Sequence, residues 1–185
     1  MKNDNLLTEG NVFRVLLKFS VPFLIANIIQ ALYGAVDLMV IGWYCAPESV
    51  AAVSTGTQVT QIITSMVSGL TLGSTIMVGK YTGMKDEDRT RKTIGTTLSV
   101  FAVIAILLTI VMLTFKGPIL TALKTPAASM KEADDYVTIC FYGIFFICGY
   151  NAISAVLRGY GDSRRPMYFV ALSCVLNIIG EIMFV

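Results

Sequence analysis

Apolar residues along this chain come in long unbroken runs rather than in alternation. Residues 94–115 and 136–157 hold no Asp, Glu, Lys or Arg, and neither do residues 49–79. Residues 19–44 hold only Asp37, and residues 167–185 only Glu181. A hydrocarbon core about 30 Å thick takes about 20 apolar residues per helix. Each run is therefore long enough to cross, and 49–79 is long enough to cross and protrude. Besides a closed barrel, only helices satisfy their own backbone in lipid. Barrel strands need about 10 alternating residues, far fewer than these runs contain. The pattern predicts an all-α integral membrane protein with five transmembrane helices, at about 19–44, 49–79, 94–115, 136–157 and 167–185.

The segments between the runs read as lead-in and turns. In residues 1–18, Val12, Phe13, Leu16 and Leu17 recur at helical spacing with Arg14 and Lys18 between them. This predicts a cytoplasmic lead-in with a short interfacial helix feeding the first span. Pro22 falls near the start of that span, where a helix tolerates it better than at mid-span. Pro47 marks the turn before the second span. Pro118 and Pro126 are expected in an outer loop, 116–135, and Pro166 opens the fifth helix, where a missing N–H costs nothing.

Composition agrees with the pattern. The chain is 55% hydrophobic and 14% charged, whereas soluble domains carry about 25% charged residues. A net charge of +2 gives no footing for nucleic-acid binding. All but three of the 14 Lys and Arg lie before the first span, between the second and third, or between the fourth and fifth. Only Lys116, Lys124 and Lys131 lie on the other side. The positive-inside rule then places the N-terminus in the cytoplasm of a plasma-membrane protein, with Trp43 and Tyr44 in the outer aromatic belt. The first run is too long for a signal-peptide core. Cys45, Cys140, Cys148 and Cys174 read as small hydrophobes rather than a disulfide framework. The chain stops at Val185 with no polar anchor after the last run, which suggests a piece of something longer.

Polar residues inside the runs carry the functional signal. An acid is costly in a bilayer core and marks ion pathways and coupling sites. On the first span Asn27, Gln30, Gly34 and Asp37 fall within an arc of about 80° at 100° per residue, with Tyr33 at its border. On the fifth, Ser173, Asn177 and Glu181 share a face. At 1.5 Å per residue, Asp37 lies about 27 Å above the inner end of its span, Asn177 about 15 Å and Glu181 about 21 Å. Low dielectric disfavours charge on a carboxylate, and a second acid nearby disfavours it further. Such a pair takes up and releases a proton, or with Asn177 offers oxygens to sodium. A buried acid that only bonds a neighbouring helix is the plainer alternative. The second span adds many uncharged polar residues, Gln61 among them, and Gly69-x-x-x-Gly73, a spacing that lets helix backbones approach closely. Its hydroxyls either bond their own backbone or face a wet cavity. The chain has no histidine and no G-x-x-x-x-G-K-[ST] loop, so neither an enzyme nor an ATP-driven pump is expected.

These residues resemble the N-terminal lobe of the multidrug and toxic compound extrusion (MATE) transporters. The resemblance lies in Leu7-Thr8-Glu9-Gly10 and Phe19-Ser20-Val21-Pro22, in Tyr33-Gly34-Ala35-Val36-Asp37 with Ile41-Gly42, and in Gly69-x-x-x-Gly73 through Val78-Gly79-Lys80-Tyr81-Thr82-Gly83. The most specific stretch is Arg158-Gly159-Tyr160-Gly161-Asp162 followed by Arg165-Pro166-Met167. The resemblance implies five helices of a six-helix bundle, half of a twelve-helix transporter whose second lobe is absent from this chain. It implies export of cationic or amphipathic small molecules in exchange for H+ or Na+ by alternating access. Asp37, Asn177 and Glu181 match the family's cation-coupling positions, with Glu181 in place of the usual aspartate. Asn27, Gln30, Tyr33 and Gln61 become candidate cavity residues. No cofactor is implied beyond the coupling ion. A lipid-linked oligosaccharide flippase of the same superfamily and a transport-inactive truncated fragment are the alternatives.

Overall fold

A computed structural model of the chain describes residues 11–184, with the side chains of Glu181, Ile182 and Phe184 outside that description. Lys2 and the Leu7-Thr8-Glu9-Gly10 segment lie outside the described residues. The described chain is helical: α1 (Val12–Tyr44), α2 (Pro47–Gly83), α3 (Glu87–Ala122), a single 3-10 turn (Ala127–Ser129), α4 (Met130–Tyr142), α5 (Ile144–Gly159) and α6 (Arg164–Phe184). Three of these, α1, α2 and α3, are each long and apolar enough to cross a membrane, and α4 with α5 makes a fourth if the bent pair is one span. The 37 residues of α2 extend about 55 Å, well beyond the hydrocarbon core.

Local sequence explains where the helices start and stop. Asn11 caps α1 by accepting from the Phe13 and Arg14 amides, as a short polar side chain does for the orphan N–H groups of a first turn. Pro47 opens α2 with Glu48 beside it. Asp86 caps α3, and Glu87 and Asp88 follow in its first turn, where the helix dipole favours negative charge. The α2–α3 turn closes by a bond from the Asp86 amide to the Tyr81 carbonyl. It passes through Lys85 at φ 55°.

Two expectations about helix bounds change. The predicted span 136–157 is broken, because α4 and α5 meet at Gly143 with a 42° bend. Glycine holds a helix poorly, and sharp kinks concentrate at such residues. Pro118, expected in the outer loop, lies inside α3. α1 runs unbroken from Val12 through the first predicted span.

The core is built around α2. Its buried residues Ala52, Gly56, Val59, Ile63, Val67 and Thr71 recur at helical spacing. They meet Phe101 and Ala105 of α3, Ala133, Val137 and Phe141 of α4, and Ile144, Cys148 and Ala152 of α5. Gly69 and Gly73 do not make the expected close approach: nothing described lies within 4 Å of a Cβ at either. The close approaches are at Gly56, against the Tyr136 ring, and at Gly159, where a Cβ would stand 2.7 Å from Val78 Cβ and 3.0 Å from the Thr75 carbonyl oxygen. The second-span hydroxyls mostly bond their own helix, as Thr60 does to Gly56 and Thr64 to Thr60. Two cross to α5: Ser68 donates to Asn151 Oδ1 at 3.0 Å and Thr75 to the Ala155 carbonyl at 3.1 Å. At the other end of α3, Lys116 Nζ ties to Asp134 at 2.6 Å and to Thr138 at 2.9 Å. α1 stands apart from this core. It pairs with α6 and touches α2 more thinly, and Pro22 is its buried residue.

Gly159→Ala is expected to destabilise the bundle by about 1–3 kcal/mol, the usual cost of overpacking. Thermal unfolding in detergent checks this. A melting temperature equal to wild type would show that the α2–α5 seam has room to spare.

Candidate functional site

The α1–α6 pair leaves a cavity of about 330 Å³ against α5. Ile29, Gln30 and Tyr33 enter from α1, one turn of a single helix face. Val170, Ser173, Cys174 and Asn177 enter from α6 at the i, i+3, i+4, i+7 spacing of another, and Tyr150 enters from α5. The lining is mixed, with apolar walls and a few amide and hydroxyl groups, the usual make-up of a small-molecule site.

Asn177 is the most telling of these groups. Its Oδ1 is buried and has no hydrogen-bond partner among the described residues. A buried polar atom left unpaired costs about 1–3 kcal/mol, and the residue that carries this one lines the cavity.

The sequence-predicted residues fall into separate groups. Gln30, Tyr33 and Asn177 come together around the cavity. Asn27 is exposed and its amide donates to the Phe23 carbonyl of its own helix at 3.0 Å. Gln61 is exposed on α2 and does not line the cavity. Asp37 is half-buried one turn beyond Tyr33 and does not line the cavity either. It lies close enough to α4 for its charge to act on Tyr136 and Cys140. The Glu181 side chain falls outside the described residues, so its distance from Asp37 is not part of this geometry.

The Arg158–Pro166 stretch acquires a physical account. Gly159 allows the close approach to Val78 already described. Gly161 sits at φ 82°, a region that L side chains rarely adopt. Asp162 caps α6 by accepting from the Arg164 and Arg165 amides, and Arg165 Nε adds an ion pair at 3.1 Å. Pro166 is buried in the first turn of α6. Arg158 lies over the Phe23 ring of α1, 6.0 Å from its centroid.

Sequence reasoning passed over Tyr150, Asn151, Tyr136 and Ser163. The adjacent Tyr150-Asn151 pair was a usable signal, since two polar residues at the centre of a chargeless run need partners in lipid. Asn151 finds them in Ser68 and in the Ile147 carbonyl. Nothing local distinguishes Ser163.

The MatE family model matches residues 22–183. A probable multidrug resistance protein of Bacillus subtilis (strain 168), YoeA, is 33% identical over 171 residues, which is 92% of this chain and 37% of that protein. A second from the same organism, YpnP, is 30% identical over 96% of this chain and 40% of its own length. Among solved structures, a MATE protein in complex with MaD3S superposes with a TM-score of 0.89 at 26% identity, covering all of this chain and 41% of that one. A MOP superfamily transporter from Pyrococcus furiosus Vc1 superposes with a TM-score of 0.90 at 26% identity, over 40% of its length. The chain thus spans about two fifths of the length of the relatives it matches.

Asn177→Leu is expected to leave stability within about 1 kcal/mol of wild type or raise it, because it replaces an unpaired buried oxygen with a methyl. The same change should abolish binding in the cavity. Thermal unfolding and ligand titration, run side by side, check both halves. A loss of several kcal/mol would mean that Asn177 is a structural partner rather than a binding group.

Proposed function

This chain belongs to the MatE family, and we propose that it forms the ion-coupling part of a membrane transporter that exports cationic or amphipathic small molecules in exchange for H+ or Na+. The observation that carries this reading is the α1–α5–α6 cavity lined by Gln30, Tyr33 and Asn177, the last with a buried oxygen that has no partner among the described residues. The multidrug resistance proteins it resembles support the substrate class. On this reading the chain supplies five spans of a six-helix bundle, with α4 and α5 together as one and α6 as the last. The N-terminus lies in the cytoplasm, and the remaining helices of the full transporter supply the other half of the substrate path. The work is transport rather than enzymatic chemistry.

The mechanism follows from what each group can do. Gln30, Tyr33 and Asn177 offer oxygens and N–H groups to a cation or to a protonated ligand. Asp37 supplies the charge that loads and releases the coupling ion, with Glu181 four residues beyond Asn177 as its counterpart on α6. Loading from outside changes how α1 packs on α6. α1 is free to respond because little of it is buried. Alternating exposure of the cavity then couples ion entry to the exit of the organic molecule.

Asp37→Asn in the full transporter should cut dye efflux from loaded cells by at least about tenfold, the scale of losing one essential charge interaction, while membrane expression stays unchanged. Imposing a pH or a sodium gradient on inverted vesicles identifies the coupling ion. Efflux that persists at the wild-type rate in this variant sinks the coupling role of Asp37.

A further inference from the structure

Cations from three helices gather where α1 begins, at one end of the α1–α6 pair. Ser163, in the turn before α6, is 5% exposed and donates its hydroxyl to the Phe19 carbonyl of α1 at 2.8 Å. That bond brings together Lys18 and Arg164, the chain neighbours of its two partners. Arg14 lies one helical turn before Lys18. Arg158 arrives from the end of α5, its guanidinium 6.0 Å from the centroid of the Phe23 ring.

None of these four cations forms an ion pair among the described residues. α1 carries no acid before Asp37, and α5 carries none. Asp162, the acid of the turn, is already engaged. It accepts from the Arg164 and Arg165 amides and pairs with Arg165 Nε at 3.1 Å. Arg14 and Lys18 are like charges four apart on one helix, which repel. Arg158 is half-buried. The ring face beside it attracts the charge but offers its N–H donors no oxygen. Phosphate oxygens suit such a donor set, because a guanidinium fork takes two of them at once.

The surface next to the cations says what the phosphate is attached to. On α1, Lys18 is followed at helical spacing by Val21, Ile25, Ile28 and Leu32, all exposed. On α6, Arg164 is followed by Tyr168, Leu172 and Val175, also exposed. These are the two helices that pair. Each presents a cation at the foot of an apolar stripe, which complements a molecule with an anionic head and apolar chains. Basic pockets between membrane helices take lipid headgroups in this way.

We propose that Arg158, Lys18 and Arg164, with Arg14 beside them, bind the headgroup phosphate of an anionic phospholipid whose acyl chains lie along the two stripes. The bound phosphate holds the α1–α6 pair together at the end where its cations repel. The site depends neither on the cavity nor on the coupling role of Asp37.

Native mass spectrometry of the full chain, released from micelles containing dioleoylphosphatidylglycerol or dioleoylphosphatidylcholine, counts the lipid retained. Phosphatidylglycerol should be retained in preference to phosphatidylcholine. Lys18→Gln and Arg164→Gln, both at exposed positions, should each weaken its retention about fivefold, the scale of one cation at an anionic lipid surface, and about 25-fold together. Arg158→Gln should weaken it as well, and Arg158→Lys, which keeps the charge but not the fork, should recover part. Lys131→Gln removes an exposed cation at the opposite end of the bent α4–α5 span and should change nothing.

Equal retention of the two lipids overturns the proposal. So does a loss in Lys131→Gln equal to that in Lys18→Gln, because the attraction would then follow total charge alone. Soluble glycerol phosphate that displaces phosphatidylglycerol at equal concentration overturns it too, since the cations would then take an anion that makes no use of the apolar stripes.

Discussion

An apolar helix face gains little by leaving lipid for protein, so helices in a bilayer associate through close backbone approach and hydrogen bonds. In this bundle that constraint is met at the α2–α5 seam. Gly159 lets α5 settle against Val78 and the Thr75 carbonyl. Ser68 and Thr75 then bond across to Asn151 and Ala155. Both halves of the broken span pack on α2, since α4 turns by 42° from the line of α5 at Gly143 and brings Tyr136 against Gly56. α3 closes the group from the other side, stapled to α4 through Lys116 and Asp134.

The helical, membrane-spanning character was legible because length and lack of charge are properties of a run and survive any arrangement of the runs. The motif around Arg158 was legible for a related reason. Its residues act within a few positions of one another, Gly161 through its own φ and Asp162 through the next two amides. The break at Gly143 was not legible. A single glycine in an apolar run is compatible with a straight helix, and the bend depends on what α4 and α5 pack against. Gly69-x-x-x-Gly73 misled for the converse reason: the spacing permits a close approach but does not say which neighbour arrives.

The candidate site was legible only in part. Helical spacing correctly grouped Gln30 with Tyr33, and Ser173 with Asn177, since faces are set by geometry within one helix. It could not say that Asn27 would bond its own backbone, or that Asn177 would line the cavity while Asp37 does not. Those outcomes turn on the rotation of α1 relative to two different neighbours. Ser163 entered the picture through its bond to the Phe19 carbonyl 144 residues away, and Tyr150 through a cavity lined from three helices, which no local pattern encodes.

The pairing of α1 with α6 has a consequence for how the molecule is made. A chain synthesised from its N-terminus at about 5–20 residues per second presents α1 well before its partner α6. The 144 residues between Phe19 and Ser163 amount to a delay of roughly 7–30 s. During that interval α2, α3, α4 and α5 can dock on one another, while α1 waits in lipid without the helix that completes its cavity. A first helix with almost nothing to bury tolerates such a wait. Its exposed leucines, isoleucines and valines are already in a solvent that suits them, and the cavity forms only once α6 arrives.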